Sequence, residues 1–298
     1  MNYYDSLKNR EQFSILQICD LDRKSVEILA RFDHVIEAPN WAKDGKALIY
    51  NAKGKIYRFD LAYKTESTIA TGEADTCNND HVFSPDGKSI AVSSGKDGDF
   101  LSRIYTVDLS TGESRLVTPQ PHSYLHGWSP DGKTLAFCGA REYGGRLEWD
   151  VYTVPVTGGE ETRLTDSEGL NDGPEYSPDG KYIWFNSLRT GMMQIWRMKA
   201  DGGEQTQMTF DDTMNAWFPH ISPDGEKVVY LAYHKGDLEP GEHLPDKNVE
   251  LRMIPSRGGE EKTVLKLFGG QGSINVNSWS SDSKKFAFVS YGEMRVNF

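Results

Sequence analysis

The chain of 298 residues has few cysteines: three, at Cys19, Cys77 and Cys138. An odd number without close spacing excludes a disulfide framework and a cysteine-built zinc site. It has no excess of positive charge. Lys and Arg number 33 against 44 Asp and Glu, a net charge of −11. A phosphate-backbone partner needs clustered cations, so nucleic acid is not an expected partner. No uninterrupted apolar run reaches about 18 residues, and the opening Met1-Asn-Tyr-Tyr-Asp-Ser-Leu-Lys8 has no basic segment followed by an apolar core. These absences predict no membrane insertion and a cytoplasmic location. There is no Gly-x-Ser-x-Gly elbow for a serine nucleophile. The glycine-rich stretches, Gly95 to Gly98 and Phe268-Gly-Gly-Gln-Gly272, lack the Gly-Lys-Ser/Thr ending of a phosphate loop.

What is abundant is one phrase, written six times: Trp41-Ala-Lys-Asp-Gly-Lys46, Phe83-Ser-Pro-Asp-Gly-Lys88, Trp128-Ser-Pro-Asp-Gly-Lys133, Tyr176-Ser-Pro-Asp-Gly-Lys181, Ile221-Ser-Pro-Asp-Gly-Glu226 and Trp279-Ser-Ser-Asp-Ser-Lys284. Successive aspartates lie 42, 45, 48, 45 and 58 residues apart. A period of this size built from short β-rich runs is the mark of a propeller blade. Within the phrase, Pro presets φ, Asp bonds the backbone and Gly accepts positive φ, so it is a tight turn between two strands. A third strand follows, as in Ile104–Leu109, then a turn and a fourth, as in Glu113–Thr118. The ends are complementary. Residues 16–21 and 25–29 read as a third and fourth strand with no first or second before them, and residues 275–280 and 284–290 as a first and second with nothing regular after. The expectation is an all-β, six-bladed β-propeller with four-stranded antiparallel blades over residues 12–291. Its N-terminal strands complete the C-terminal blade, which removes open sheet edges. Residues 1–11 and 292–298 are read as tails.

The six turns resemble the TolB-type propeller repeat, a WD40-like repeat with a Ser-Pro-Asp-Gly-Lys turn. The resemblance covers about residues 12–291 and implies the fold. Tol-associated TolB proteins also carry a separate N-terminal domain and a signal peptide. Neither is read in this sequence, so the resemblance is taken to imply architecture rather than a role in the Tol envelope system.

Strand direction sorts the loops. The Ser-Pro-Asp-Gly turns and the third-to-fourth turns share one face and read as structural. The irregular segments share the other: Gly95–Phe100, Ala140–Arg146, Leu188–Gly191, the insertion from Tyr233 to Val249, and Phe268–Gly272. Variable loops on a rigid scaffold are where sites are usually built. The inner strands begin on that face with Glu37, Asn40, Asp80, His81, Tyr124, His126, Asp172, Glu175, Trp217, His220, Asn275 and Asn277. The bland reading is a water-filled channel lined by hydrogen-bonded side chains. The sharper reading is a ligand site at this loop-rich mouth built from His81, His126, Asp172, Arg189, Trp217 and His220. Arg141, Arg146 and Arg189 would clamp a carboxylate beside Tyr143 and Trp149.

Three functional classes follow. The leading one is recognition of a small polar ligand, saccharide-like or peptide-like. The second is a metal-assisted lyase or hydrolase on sugars, with His81, His126 and an acid such as Asp80 or Asp172 as the metal ligands. Here the repeats and the histidines resemble oligogalacturonate lyases, which the resemblance would make metal-dependent enzymes of acidic sugars. No catalytic residue can be matched position by position. The third is a protein-interaction platform on the blade rims. The sequence identifies neither catalytic residues nor a cofactor.

Overall fold

The computed structural model describes residues 12–99 and 101–293. Each Ser-Pro-Asp-Gly segment builds the same turn. In the second, Ser84 Oγ donates to Asp86 Oδ1 (2.6 Å), which also accepts the Lys88 N–H (3.1 Å). Ser84 Oγ in turn accepts the Ser89 N–H at 3.0 Å. The same net recurs around Ser129, Ser177, Ser222 and Ser280. It requires the left-handed region at the fourth position, and Gly45, Gly87, Gly132, Gly180 and Gly225 hold φ between 70° and 75°. In the sixth turn Ser283 takes this position, at φ 59°.

The turns join antiparallel strands into six sheets. Blade one is Glu37–Trp41, Ala47–Ala52, Lys55–Asp60 and Glu66–Ile69; blade two is Cys77–Phe83, Ser89–Ser94, Arg103–Asp108 and Ser114–Leu116. Blade three is Ser123–Trp128, Thr134–Tyr143, Arg146–Pro155 and Thr162–Arg163. Blade four is Asn171–Tyr176, Tyr182–Ser187, Gln194–Lys199 and Thr206–Gln207; blade five is Met214–Ile221, Lys227–His234, Lys247–Pro255 and Lys262–Gly269. The first strand of each lines the axis. Blade six closes the ring as the two half-blades predict: Gln12–Asp20 pairs with Ser25–Phe32 on one side and with Lys285–Glu293 on the other. That pairing continues through Gly292 and Glu293, two residues beyond the expected end at 291. Of the expected tails 1–11 and 292–298, residues 1–11 and 294–298 lie outside the described residues.

Blade six departs from expectation at its inner strand. Residues 275–280 keep only one bridge, Trp279 to Phe286, beside a three-stranded sheet. Backbone bonds to the next strand remain at Ser278 and Ser280, while the asparagine side chains bond elsewhere. Asn275 Nδ2 donates to Asp80 Oδ1 of blade two at 2.7 Å. Asn277 Nδ2 donates to Glu175 Oε1 of blade four and the Ile221 carbonyl of blade five, at 2.6 and 2.9 Å. This segment trades much of a ladder for ties across the channel.

Apolar residues fill the spaces between blades. Trp217, Leu231, Val249 and Leu251 pack with Trp279, Phe286 and Phe288 across the blade five–six seam, and Leu16, Tyr50, Phe59 and Val289 across the six–one seam. The five complete inner strands share an irregularity: register slips between Glu37 and Asn40, Cys77 and His81, Leu125 and Gly127, Asp172 and Glu175, and Trp217 and His220. At three slips the backbone turns left-handed, at Ala38 (φ 55°), Gly173 (φ 63°) and Phe218 (φ 53°). Such bulges re-aim side chains next to sites.

Candidate functional site

The bulges turn a set of titratable side chains onto the axis. His126 Nε2 lies 3.1 Å from Asp172 Oδ1, and His243 Nε2 lies 4.0 Å from the other oxygen of Asp172. Burial works to raise the Asp172 carboxyl, but the charge and hydrogen bond of His126 overcome it and hold it at about 2. Burial would likewise lower the His126 imidazole, and the charge of Asp172, with Asp80 and Glu175 beyond, raises it instead. Asp80 is pushed up to about 6 by burial, with repulsion from Asp172 adding to the shift and the charge of His126 opposing it. The result is a buried row of three titratable groups, Asp80, His126 and Asp172, across blades two, three and four.

On the loop-rich side this row is covered. The insertion between the second and third strands of blade five lays His243 against Trp217, with ring centres 4.4 Å apart, and against Phe218. Tyr233 Oη donates to the Leu244 carbonyl at 2.9 Å, and Gln12 Nε2 to Asp246 Oδ1 at 2.8 Å. The insertion therefore reaches from blade five to the closing blade. Phe218, held at positive φ, stacks on His126 with centres 5.7 Å apart.

The other end is open. A cavity of about 330 Å³ opens on the Ser-Pro-Asp-Gly face, and its wall is the repeat itself. The residue before each turn contributes, as Trp41, Phe83, Trp128, Tyr176, Ile221 and Trp279. So does the second turn position: Lys43, Pro85, Pro130, Pro178, Pro223 and Ser281. Asn40, His126, Glu175 and Asn277 lie among the residues that line it more deeply. A ring of aromatic and prolyl faces over a polar floor can hold a flat or apolar body while directing its polar groups inward.

These positions redistribute the residues expected from sequence. His126, Asp172 and His220 converge on the axis. His220 bonds Glu175 Oε2 through Nδ1 and the Ile274 carbonyl through Nε2, both at 2.8 Å. His81 does not join them: its ring is fully buried, and burial lowers it to about 4, so it is neutral. Among the described residues no three His, Cys, Asp or Glu are grouped to hold a metal, so the set drawn from His81, His126 and Asp80 or Asp172 is not assembled. Trp217 is fully buried in the blade five–six seam and presents no face to a ligand. Two of the three clamp arginines are spent internally, and Arg146 is exposed. Arg189 donates to Ser187, Gln205 and Asn171 and lies over the ring of Trp196, 4.6 Å from its centre. Arg141 forks onto Glu161 at 2.8 and 2.9 Å. His243, Lys43 and the aromatic ring of the turn face are absent from the sequence-derived set. A repeat reads as scaffold, and the one signal available was the break in it, Ala42-Lys43 where four copies have Ser-Pro.

The geometry can now be set beside known proteins. The TolB beta propeller domain family matches residues 2–144 and 102–253. An uncharacterized protein of Agrobacterium fabrum is 42% identical over 93% of this chain and 92% of its own length. This chain belongs to the TolB β-propeller family. A solved structure described as a TolB of Agrobacterium tumefaciens superposes with a TM-score of 0.88 at 42% identity, covering 94% of this chain and 99% of that one. The Tol-Pal system protein TolB of Francisella tularensis subsp. mediasiatica is 29% identical over 85% of this TolB-family chain, which spans 56% of that protein's length. An oligogalacturonate lyase solved with manganese shares the fold alone, at 17% identity and a TM-score of 0.56. Among the described residues no helix is long and apolar enough to cross a membrane.

Proposed function

We propose that this TolB-family propeller is a recognition protein that binds a small polar ligand, saccharide-like or peptide-like, in the axial vestibule on its Ser-Pro-Asp-Gly face. One observation carries the reading. The cavity on that face is walled by three tryptophans, a tyrosine and a phenylalanine over a floor of Asn40, His126, Glu175 and Asn277. Aromatic anchors with a few convergent polar groups are what small-ligand sites use. The mouth differs from the loop-rich one expected from sequence, and His126 is the member of the expected set that reaches it. The buried ionic row behind the floor holds the channel in shape.

Sugar chemistry by acid–base catalysis is the second reading. It draws on Asp80, pushed up to about 6, and on His126, raised by its carboxylate neighbours, whose charge acts on Asp80. Calorimetry against neutral and acidic oligosaccharides and short peptides, followed by product analysis with and without divalent metal, separates the two. Recognition predicts binding without product and a loss of about 1–3 kcal/mol in Trp128→Ala. Turnover abolished by Asp80→Asn would replace recognition with catalysis.

A further inference from the structure

The six turns are unequal at the vestibule rim. Four place proline there and the sixth places Ser281, but the first places Lys43. The titratable lining residues are Lys43, His126, Glu175 and the phenol of Tyr176, which burial raises to about 12. Each charged group can be paired off in turn. Glu175 accepts from the Ile221 N–H and Asn277 Nδ2 through Oε1, and faces His220 Nδ1 through Oε2. The second nitrogen of His220 faces a carbonyl oxygen. Both carboxyl oxygens of Glu175 are thus engaged by partners within the fold. His126 is compensated by Asp172.

Lys43 is left over. It forms no ion pair with a described residue. The residue as a whole is solvent-exposed, and the partial desolvation of its ammonium lowers it, with Glu175 the one charge opposing that shift. The turn aspartates are turned to their own loops: Asp131, Asp179 and Asp224 hold Lys133, Lys181 and Lys227, and Asp44 holds Arg58. The rings of Trp41 and Trp128 line the vestibule, while their Nε1 atoms are buried. One ammonium without a counter-ion beside an apolar ring wall describes a receptor for a singly charged oxyanion attached to a flat or apolar body. A dianion would find one cation and not two.

We infer that the vestibule takes a small carboxylate with a ring or apolar body, its carboxylate paired with the Lys43 ammonium and its body among Trp41, Trp128 and Trp279. This rests on the vestibule being the recognition site. The test uses matched pairs that differ only in the carboxylate: glucuronate and glucose, N-acetylphenylalanine and its amide. Dissociation constants are read from the tryptophan indole N–H resonances of the whole chain, in wild type, Lys43→Met and Lys43→Pro. Proline occupies this position in four sister turns, so the second variant removes the charge without asking the turn for a new shape.

The acid of at least one pair binds about tenfold more tightly than its neutral partner at low salt, as one charge-assisted contact supplies. Both variants reduce that preference to about twofold or less. Success with the sugar pair alone or the peptide pair alone identifies the source of the carboxylate. Equal binding of acid and neutral partners, unchanged in Lys43→Met, overturns the carboxylate assignment and leaves the vestibule standing. Acid binding that shifts only indoles outside the vestibule, or no binding by either acid, overturns the assignment as well, and the former takes the vestibule reading with it.

Discussion

Asp80 pays a cost in the folded state that a single substitution should recover. Its carboxyl is buried beside Asp172, and its Oδ1 accepts one hydrogen bond from Asn275. Burial raises it from 3.8 to about 6. A carboxyl raised on folding binds its proton more tightly in the native state, so stability falls as pH rises from the unfolded value toward the folded one. A shift of about two units corresponds to about 3 kcal/mol at pH 7 and about 0.5 kcal/mol at pH 4. Asp80→Asn removes the ionisation and keeps an oxygen for Asn275. It also removes one of the anions that support His126. The expected net gain is therefore about 1–2 kcal/mol at pH 7, disappearing near pH 4. Urea unfolding at the two pH values measures it. A variant less stable than wild type at pH 7, or one with the same difference at both pH values, would refute the reasoning.

Other substitutions probe the remaining parts. Gly132→Val meets no atom within 4 Å, so its cost is that of a β-branched residue at φ 75°, about 1–3 kcal/mol by thermal unfolding. Ser283 accepts the Asp224 N–H at 2.9 Å from a left-handed backbone. Ser283→Ala should therefore cost about 1 kcal/mol, while Ser283→Gly, which loses the bond but relieves the backbone, should stay within about 0.5. The Asp172–His126 pair gives its full contribution between about pH 4 and 6.5. Asp172, lowered to about 2, loses its share as pH falls toward that value, and His126, raised, loses its share as pH climbs through its folded pKa. Asp172→Asn should flatten both limbs of a stability–pH curve. Deleting the chain through Phe32 strips the Gln12–Asp20 strand from Lys285–Glu293, together with the Ser25–Phe32 strand outside it, and exposes the edge, so the product should aggregate on size-exclusion chromatography; an intact monomer with unchanged melting would contradict closure.

The architecture was legible because its information is local. Pro, Asp and Gly at fixed offsets determine each turn, and two unmatched half-blades at the ends announce the closure. The inner strand of blade six was less legible, since Asn275 and Asn277 abandon the ladder for partners 195 and 102 residues away. The partners of the expected site residues were hidden for a related reason. Arg141 and Arg189 look free until Glu161 and Gln205 arrive from outer strands and neighbouring turns. Trp217 looks like a mouth residue until a bulge turns it into a seam. The insertion that seemed to decorate the loop-rich mouth closes it with His243. Conversely, the repeated aromatic before each turn looks like core in one blade and becomes a wall only when six are placed around one axis.

The central claim is that the ring of repeat-derived aromatics is the surface that meets the ligand. Indole N–H resonances report it directly, because the seven tryptophans include reporters for both ends. Trp41, Trp128 and Trp279 line the vestibule. Trp149 stands at the loop-rich end, its ring 5.8 Å from Tyr124. Titration with the acid–neutral pairs should move the first three and leave Trp149 in place. Shifts confined to Trp149, with Trp41, Trp128 and Trp279 unmoved, would contradict the account and return the working surface to the loop-rich face.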